Sequence, residues 1–181
     1  MENKKIKKID IFNVDCPSFM MVMPTHSNSE ENNKNNVWCD GSNQTEEELK
    51  IDGELAFGEW FELYSFLAQQ GLVTIMPSPA KMSGLADHVY AANSGIMIKD
   101  TYIVSNFTSE PRIPETPVIE QFMKTTGVNV IVCPFKFEGE ADMKFIGYNK
   151  GGKMVFLGGY GIRSTKEAFE WMEELFDNEI I

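Results

Sequence analysis

Three short segments put ionisable side chains where apolar runs end, and loops at such places commonly carry chemistry. The first is Asp87-His-Val-Tyr-Ala-Ala-Asn93-Ser-Gly95, in which Asp87 and Asn93 bracket an apolar stretch and Gly95 permits a tight backbone path. The second is Phe137-Glu-Gly-Glu-Ala-Asp142, with three carboxylates in five residues. Held side by side, these would repel and raise one pKa unless a cation sat among them; a metal ion or a guanidinium would serve. The third, Gly158-Gly-Tyr-Gly-Ile-Arg163-Ser164, is a glycine-rich turn that delivers an arginine to a helix start, where it could clamp a carboxylate in bidentate fashion. Plainer readings exist: Asp87 as a turn cap, and the carboxylates as the solvated edge of a hairpin. The glycine run lacks the Lys-Ser/Thr ending of a phosphate loop and is not GxGxxG, so it implies no nucleotide cofactor. Glu138, Glu140 and Asp142 lack EF-hand spacing, and His26 and His88 share no ligand spacing, which weakens calcium and zinc readings.

The elements around these segments recur. Ala56, Trp60, Leu63 and Leu67 fall at helical spacing before Gly71, and Leu72–Met76 reads as a buried strand. Thr116-Pro117 has the chemistry of a helix start, with Ile119, Phe122 and Met123 on one face; the helix stops at Gly127, and Val128–Val132 follows as a strand. Ser164 and Glu167 form a capping box for a third helix through Ala168, Met172, Leu175 and Phe176, ending near Asn178. Hairpins are expected over Ser94–Ser105, around Lys99-Asp100, and over Met143–Leu157, around 149–152. The expected architecture is therefore α/β, about three ββαβ-type repeats roughly 50–56 residues apart, within one incomplete domain spanning 1–181. In this register Ile180-Ile181 opens a third strand, so the sequence reads as truncated at its C-terminus. Asn28–Asn43, with six asparagines, is expected to be a solvated loop within that domain, although Trp38 lies inside it.

Charge and composition narrow the function classes. The chain carries 16 Lys+Arg against 27 Asp+Glu, a formal net charge of −11, and 43% hydrophobic residues. It can bury a core, and its acidity argues against nucleic acid and favours small cationic ligands. No apolar run approaches a membrane span, and the stretch after Lys4, Lys5, Lys7 and Lys8 is too polar for a signal peptide. Three cysteines (Cys16, Cys39 and Cys133) form no CxxC, so a reduced, cytoplasmic setting is expected.

Taken in series, Asp-x-Val-Tyr-x-x-Asn-x-Gly, Glu-Pro-Arg112-x-Pro-Glu115, Phe-Glu-Gly-x-x-Asp and Gly-Tyr-Gly-x-Arg resemble the guanidine-modifying superfamily. That group comprises amidinotransferases, arginine deiminases, arginine dihydrolases and dimethylarginine dimethylaminohydrolases. The likeness runs over residues 14 to 177, and Asn93 and Asn36-Val-Trp38 are most similar to the dihydrolase and amidinotransferase-like branch. The resemblance implies the pentein fold, a five-bladed α/β propeller, of which this sequence holds the N-terminal portion. It implies chemistry on a C–N bond of arginine or a related amidine through a covalent cysteine intermediate, with no cofactor and no metal.

By the same resemblance Glu138 matches the catalytic carboxylate, and Asp87 lies beside the substrate. Asn93 stands where deiminases place a guanidinium-binding aspartate, and Asn36 matches a polar pocket residue. Arg112 and Arg163 match arginines that hold the α-carboxylate. Acidic Glu138 and Asp142 would then meet the substrate's cation. The histidine and nucleophilic cysteine of the family lie in later blades, with no counterpart here. Cys16 and Cys133 each precede a proline, away from any histidine, and read as structural. Strand-like alternation would turn His88 away from whatever Asp87 faces. The expectation is a chain inactive alone, completed by a C-terminal partner chain or by self-association; the alternative is a non-catalytic binding or interaction protein derived from this fold.

Overall fold

A computed structural model describes residues 15–25, 51–78 and 86–181. Asn36, Trp38, Cys39, His26 and the whole of 28–43 lie outside the described residues. Strand β1 (Ser18–Val22) pairs in parallel with β2 (Leu72–Met76), and helix α1 (Gly53–Ala68) lies between them in sequence. Hairpin β3 (Gly95–Ile98) and β4 (Thr101–Val104) continues through α2 (Glu115–Thr126) to β5 (Asn129–Val132), which returns parallel to β4. The pattern recurs with β6 (Met143–Tyr148), β7 (Met154–Gly158), α3 (Lys166–Phe176) and β8 (Glu179–Ile180). Among the described residues, two full ββαβ units and one parallel β-α-β pair thus form three separate small sheets. A parallel return needs a crossover, and the helix supplies it.

Packing runs between units. Along β4 every residue is buried, because its side chains alternate into two cores. Tyr102 and Val104 join Val22, Met76, Ile119 and Met123 on one side. Ile103 joins Ile96, Ile98, Phe137, Phe156, Phe169 and Met172 on the other. Helix α1 forms where the spacing predicted, capped by Asp52 Oδ1, which accepts from the Glu54 and Leu55 amides at 3.0 Å. None of its residues is fully buried, and Leu63 faces outward. Among the described residues no helix is long and apolar enough to cross a membrane.

Helix starts differ from the sequence expectation in two places. Helix α2 begins at Glu115 with Pro114 at the cap position, one residue before Thr116, and the Thr116 hydroxyl donates to the Ser105 carbonyl at 2.9 Å. Helix α3 begins at Lys166 with Thr165 at its cap and no side-chain cap bond. Ser164 makes no capping box, because its hydroxyl is engaged elsewhere. The ends hold as predicted: Gly127 leaves α2 with φ 97°, where a side chain would be strained. The stretch 86–93 is two short 3₁₀ turns, Ala86–Val89 and Ala91–Asn93, so strand alternation does not govern His88.

Candidate functional site

Two loops meet at the ends of the central strands. The turn Ala91–Asn93 feeds β3, and the turn Gly139–Ala141 feeds β6. They touch at Gly139, which adopts φ +61°; a Cβ there would lie 2.7 Å from Ala92 O, Gly95 N and Gly95 O. Gly95 is equally confined, since its own Cβ would run into the Ile103 carbonyl and the Tyr102 ring. Backbone this close is open only to glycine. The contact brings residues 45 positions apart together: Asn93 Nδ2 donates to Glu138 Oε2 at 3.1 Å. Ser105 Oγ donates to the Asn93 carbonyl at 2.5 Å, fixing the turn from below.

Glu138 is buried at 6% exposure. Burial raises its pKa above the ordinary carboxylate value; Arg112, the Asn93 hydrogen bond and Arg163 pull it back, and Asp142 pushes it up. The folded chain therefore binds the Glu138 proton more tightly than the unfolded chain does. Stability from the protonated carboxyl is fully present below the unfolded pKa and is lost as pH rises through the folded one. Glu138→Gln should be more stable than wild type above that window and lose the advantage below it, read by urea denaturation at acidic and neutral pH. An advantage that shrinks as pH rises would contradict this sign.

The three carboxylates of 138–142 do not converge. Glu140 forms an exposed ion pair with Lys144 at 3.1 Å. Asp142, nearly buried, accepts from Ser164 Oγ at 2.7 Å through Oδ2 and from Arg163 Nη2 at 2.5 Å through Oδ1. Among the described residues no group of three His, Cys, Asp or Glu side chains could hold a metal ion. The cation expected among these carboxylates is, at Asp142, the protein's own Arg163.

The two arginines are placed differently. Arg163 is half exposed on the glycine-rich turn, beside an open groove of about 770 Å³ that Lys144, Leu157, Tyr160 and Ile162 also line. Arg112 is 4% exposed and bound by Glu115 in bidentate fashion, Nε to Oε1 at 2.8 Å and Nη2 to Oε2 at 2.7 Å. Its Nη2 also donates to the Asp87 carbonyl at 3.1 Å, and its guanidinium lies 4.3 Å from the Phe107 ring centre. Moving Arg112 off Glu115 would leave that buried carboxylate unpaired, which costs about 3–5 kcal/mol for a buried pair. Asp87 itself is partly buried at the first turn. His88, also buried, points Nδ1 toward Glu115 Oε2 at 3.5 Å.

Glu115 stands in the sequence motif without an expected role, and Ser164 is expected there as a helix cap. The Arg-x-x-Glu spacing, i to i+3 at a helix start, was the available signal for the first. The second had none, because Ser164 meets Glu138 and Asp142 only in the folded chain. Cys133 sits in the core with its thiol pushed up to about 11 by burial, as a structural cysteine does. Cys16 is exposed.

These observations define a mixed α/β fold of repeated ββαβ units with a carboxylate, an amide and an arginine at one end. The fold matches pentein structures: over 90% of this chain it superposes with TM-score 0.74 and 23% identity on 55% of the N-terminal domain of ArgZ, an arginine dihydrolase from cyanobacteria solved with substrate bound. In sequence the chain is similar to the bifunctional arginine dihydrolase/ornithine cyclodeaminase AgrE of Nostoc sp., 26% identical over 165 residues, 90% of this chain and 22% of that protein. It is also similar to the N(G),N(G)-dimethylarginine dimethylaminohydrolase of Mycobacterium tuberculosis, 27% identical over 118 residues, 65% of this chain and 36% of that enzyme. Its homologues are thus guanidino-modifying hydrolases, and the resemblance to the guanidine-modifying superfamily holds in sequence and in fold. The chain spans about a fifth of the length of AgrE. No family model matches it.

Proposed function

We propose that this chain forms the substrate-holding part of a guanidino-group hydrolase or amidinotransferase acting on arginine or a related amidine. The observation that carries the reading is the part-buried Glu138–Asn93 pair, set where two glycines cross, with exposed Arg163 on the neighbouring turn. Glu138 would accept from the guanidinium N–H groups, and its raised pKa suits it to take up a proton during turnover. Asn93 keeps its Oδ1 to accept a further N–H while its Nδ2 serves Glu138. Asp87 and, from the residues outside the described set, Asn36 would complete the cation end. Arg163 would take the α-carboxylate. Arg112, given to the same task by the resemblance, we assign instead to supporting Asp87 and to the field at Glu138, because Glu115 holds its Nε and Nη2 and the side chain is 4% exposed.

The bond chemistry needs a thiolate and an imidazole. The thiolate would add to the guanidinium carbon, forming C–S; the tetrahedral centre would collapse with C–N cleavage as the imidazolium protonates the leaving amine. Water, or an acceptor amine in a transferase, would then displace the thiolate. Among the described residues, buried Cys133 and buried His88 are unsuited to these roles and exposed Cys16 has no histidine beside it in sequence; the reading places both groups in a partner polypeptide or in further units of a five-bladed propeller. The outward face of β6–β7, with Ile146 and Leu157 exposed, is where a further unit would stack. A cytoplasmic, reducing setting would keep such a thiol active.

The test is arginine titrated into the purified 181-residue chain by calorimetry, alongside an ammonia and ornithine assay. Binding without product is expected; product from the chain alone would overturn the assignment of the nucleophile, and no binding would overturn the site. Adding a polypeptide that carries the cysteine and histidine should restore turnover. Binding that stays silent in that mixture favours the second reading, a non-catalytic arginine-binding protein, which the burial of Cys133 also supports.

A further inference from the structure

We propose that Asp142 is the positioning residue of Arg163, held by Ser164, and that it acts on the carboxylate end of the ligand and not on its guanidinium. This deepens the functional reading above and rests on it. Ser164 is fully buried, and its hydroxyl does two things: it accepts from the Glu138 amide at 3.1 Å and donates to Asp142 Oδ2 at 2.7 Å. Asp142 then has one oxygen left, Oδ1, and Arg163 Nη2 occupies it. The same two loops are laced by backbone bonds, Gly159 N to Asp142 O at 2.8 Å and Thr165 N to Lys136 O at 3.0 Å.

The chemistry of these contacts separates the two carboxylates of the motif. A guanidinium ligand needs unoccupied acceptor lone pairs facing the substrate. Asp142 already accepts one bond at each oxygen, and its side chain is only 7% exposed, so little of its remaining acceptor capacity faces solvent. Arg163, by contrast, uses Nη2 for Asp142 and presents a planar fork whose other donors can meet a carboxylate. An arginine on a glycine-rich turn is mobile unless something holds it, and ordering a long side chain on binding costs affinity. Ser164 ties that hold to the Glu138 backbone, and with the two backbone bonds it links the cation end of the site to the anion end.

The test compares arginine with agmatine, the same guanidine without a carboxylate, binding to the full chain by calorimetry. In Asp142→Ala, arginine affinity should fall about tenfold, the loss of one charge-assisted hydrogen bond's worth of order, while agmatine affinity stays within about twofold. In an Arg163→Ala background, Asp142→Ala should add nothing further. Equal weakening for both ligands would make Asp142 a guanidinium ligand and overturn the proposal. Tighter arginine binding would also overturn it, since Asp142 would then act only by repelling the carboxylate. Should Asp142→Ala fail to fold, Asp142→Asn carries the same comparison, with the near-UV circular dichroism spectrum as the folding check. Wild-type chain that binds neither ligand rejects the functional reading itself, whereas arginine and agmatine bound by wild type but weakened alike in the variant rejects only the role of Asp142.

Discussion

Gly139→Ala should destabilise the chain by about 3 kcal/mol or more. Two costs add. The φ of +61° places an L-residue in the left-handed region, worth roughly 1–2 kcal/mol. The new Cβ then meets three backbone atoms, Ala92 O, Gly95 N and Gly95 O, each at 2.7 Å. Backbone cannot rotate away as a flexible side chain can, so the two loops must separate. Gly152→Ala is the control: its φ is +79°, but nothing lies within 4 Å of the added carbon. That variant should lose only the conformational part, about 1–2 kcal/mol. Urea midpoints of both would decide the matter. Equal losses would mean that the crossing of the two loops is looser than the distances require. Because the crossing also sets the Asn93–Glu138 hydrogen bond, Gly139→Ala should lose arginine binding even under conditions where it remains folded.

Glu115→Ala should cost about 3–5 kcal/mol, since it strands a buried arginine. Among the described residues, Arg112 would keep the Asp87 carbonyl and the Phe107 face as partners, at 4% exposure. His88 would lose the carboxylate toward which its Nδ1 points. Removing Glu120, the partner of Lys124 in an exposed i,i+4 pair, should cost no more than about 0.5 kcal/mol. The comparison separates burial from mere ion pairing. Replacing both partners, with Arg112→Met and Glu115→Leu together, should recover much of the loss, because no unpaired charge is left inside. If Glu115→Ala unfolds by no more than the Glu120 variant, Arg112 is free to move, and its assignment to the substrate's carboxylate regains force.

Much of the fold follows from local chemistry. The hairpins around Lys99-Asp100 and 149–152, the helix stop at Gly127 and the two parallel return strands lie where hydrophobic period and turn residues place them. Those signals act within a few residues, so a sequence states them directly. The motifs of Asp87, Asn93, Glu138 and Arg163 were likewise legible as residue types at fixed spacing. Nothing local, however, says that Ser164 faces Asp142, or that Glu115 holds Arg112 through two bonds. Ser164 is a capping residue by sequence, and the helix forgoes that bond because a buried carboxylate and a buried amide claim the same hydroxyl. Three carboxylates in five residues looked like one cation site. The 3₁₀ turn at Gly139–Ala141 sends them to three partners, Asn93, Lys144 and Arg163. The sequence by itself determined the repeated ββαβ units and the inventory of charged groups, because periodicity and turn chemistry are short-ranged. Tertiary structure decided which charges meet, because that depends on packing between units and on two glycines that let distant loops touch.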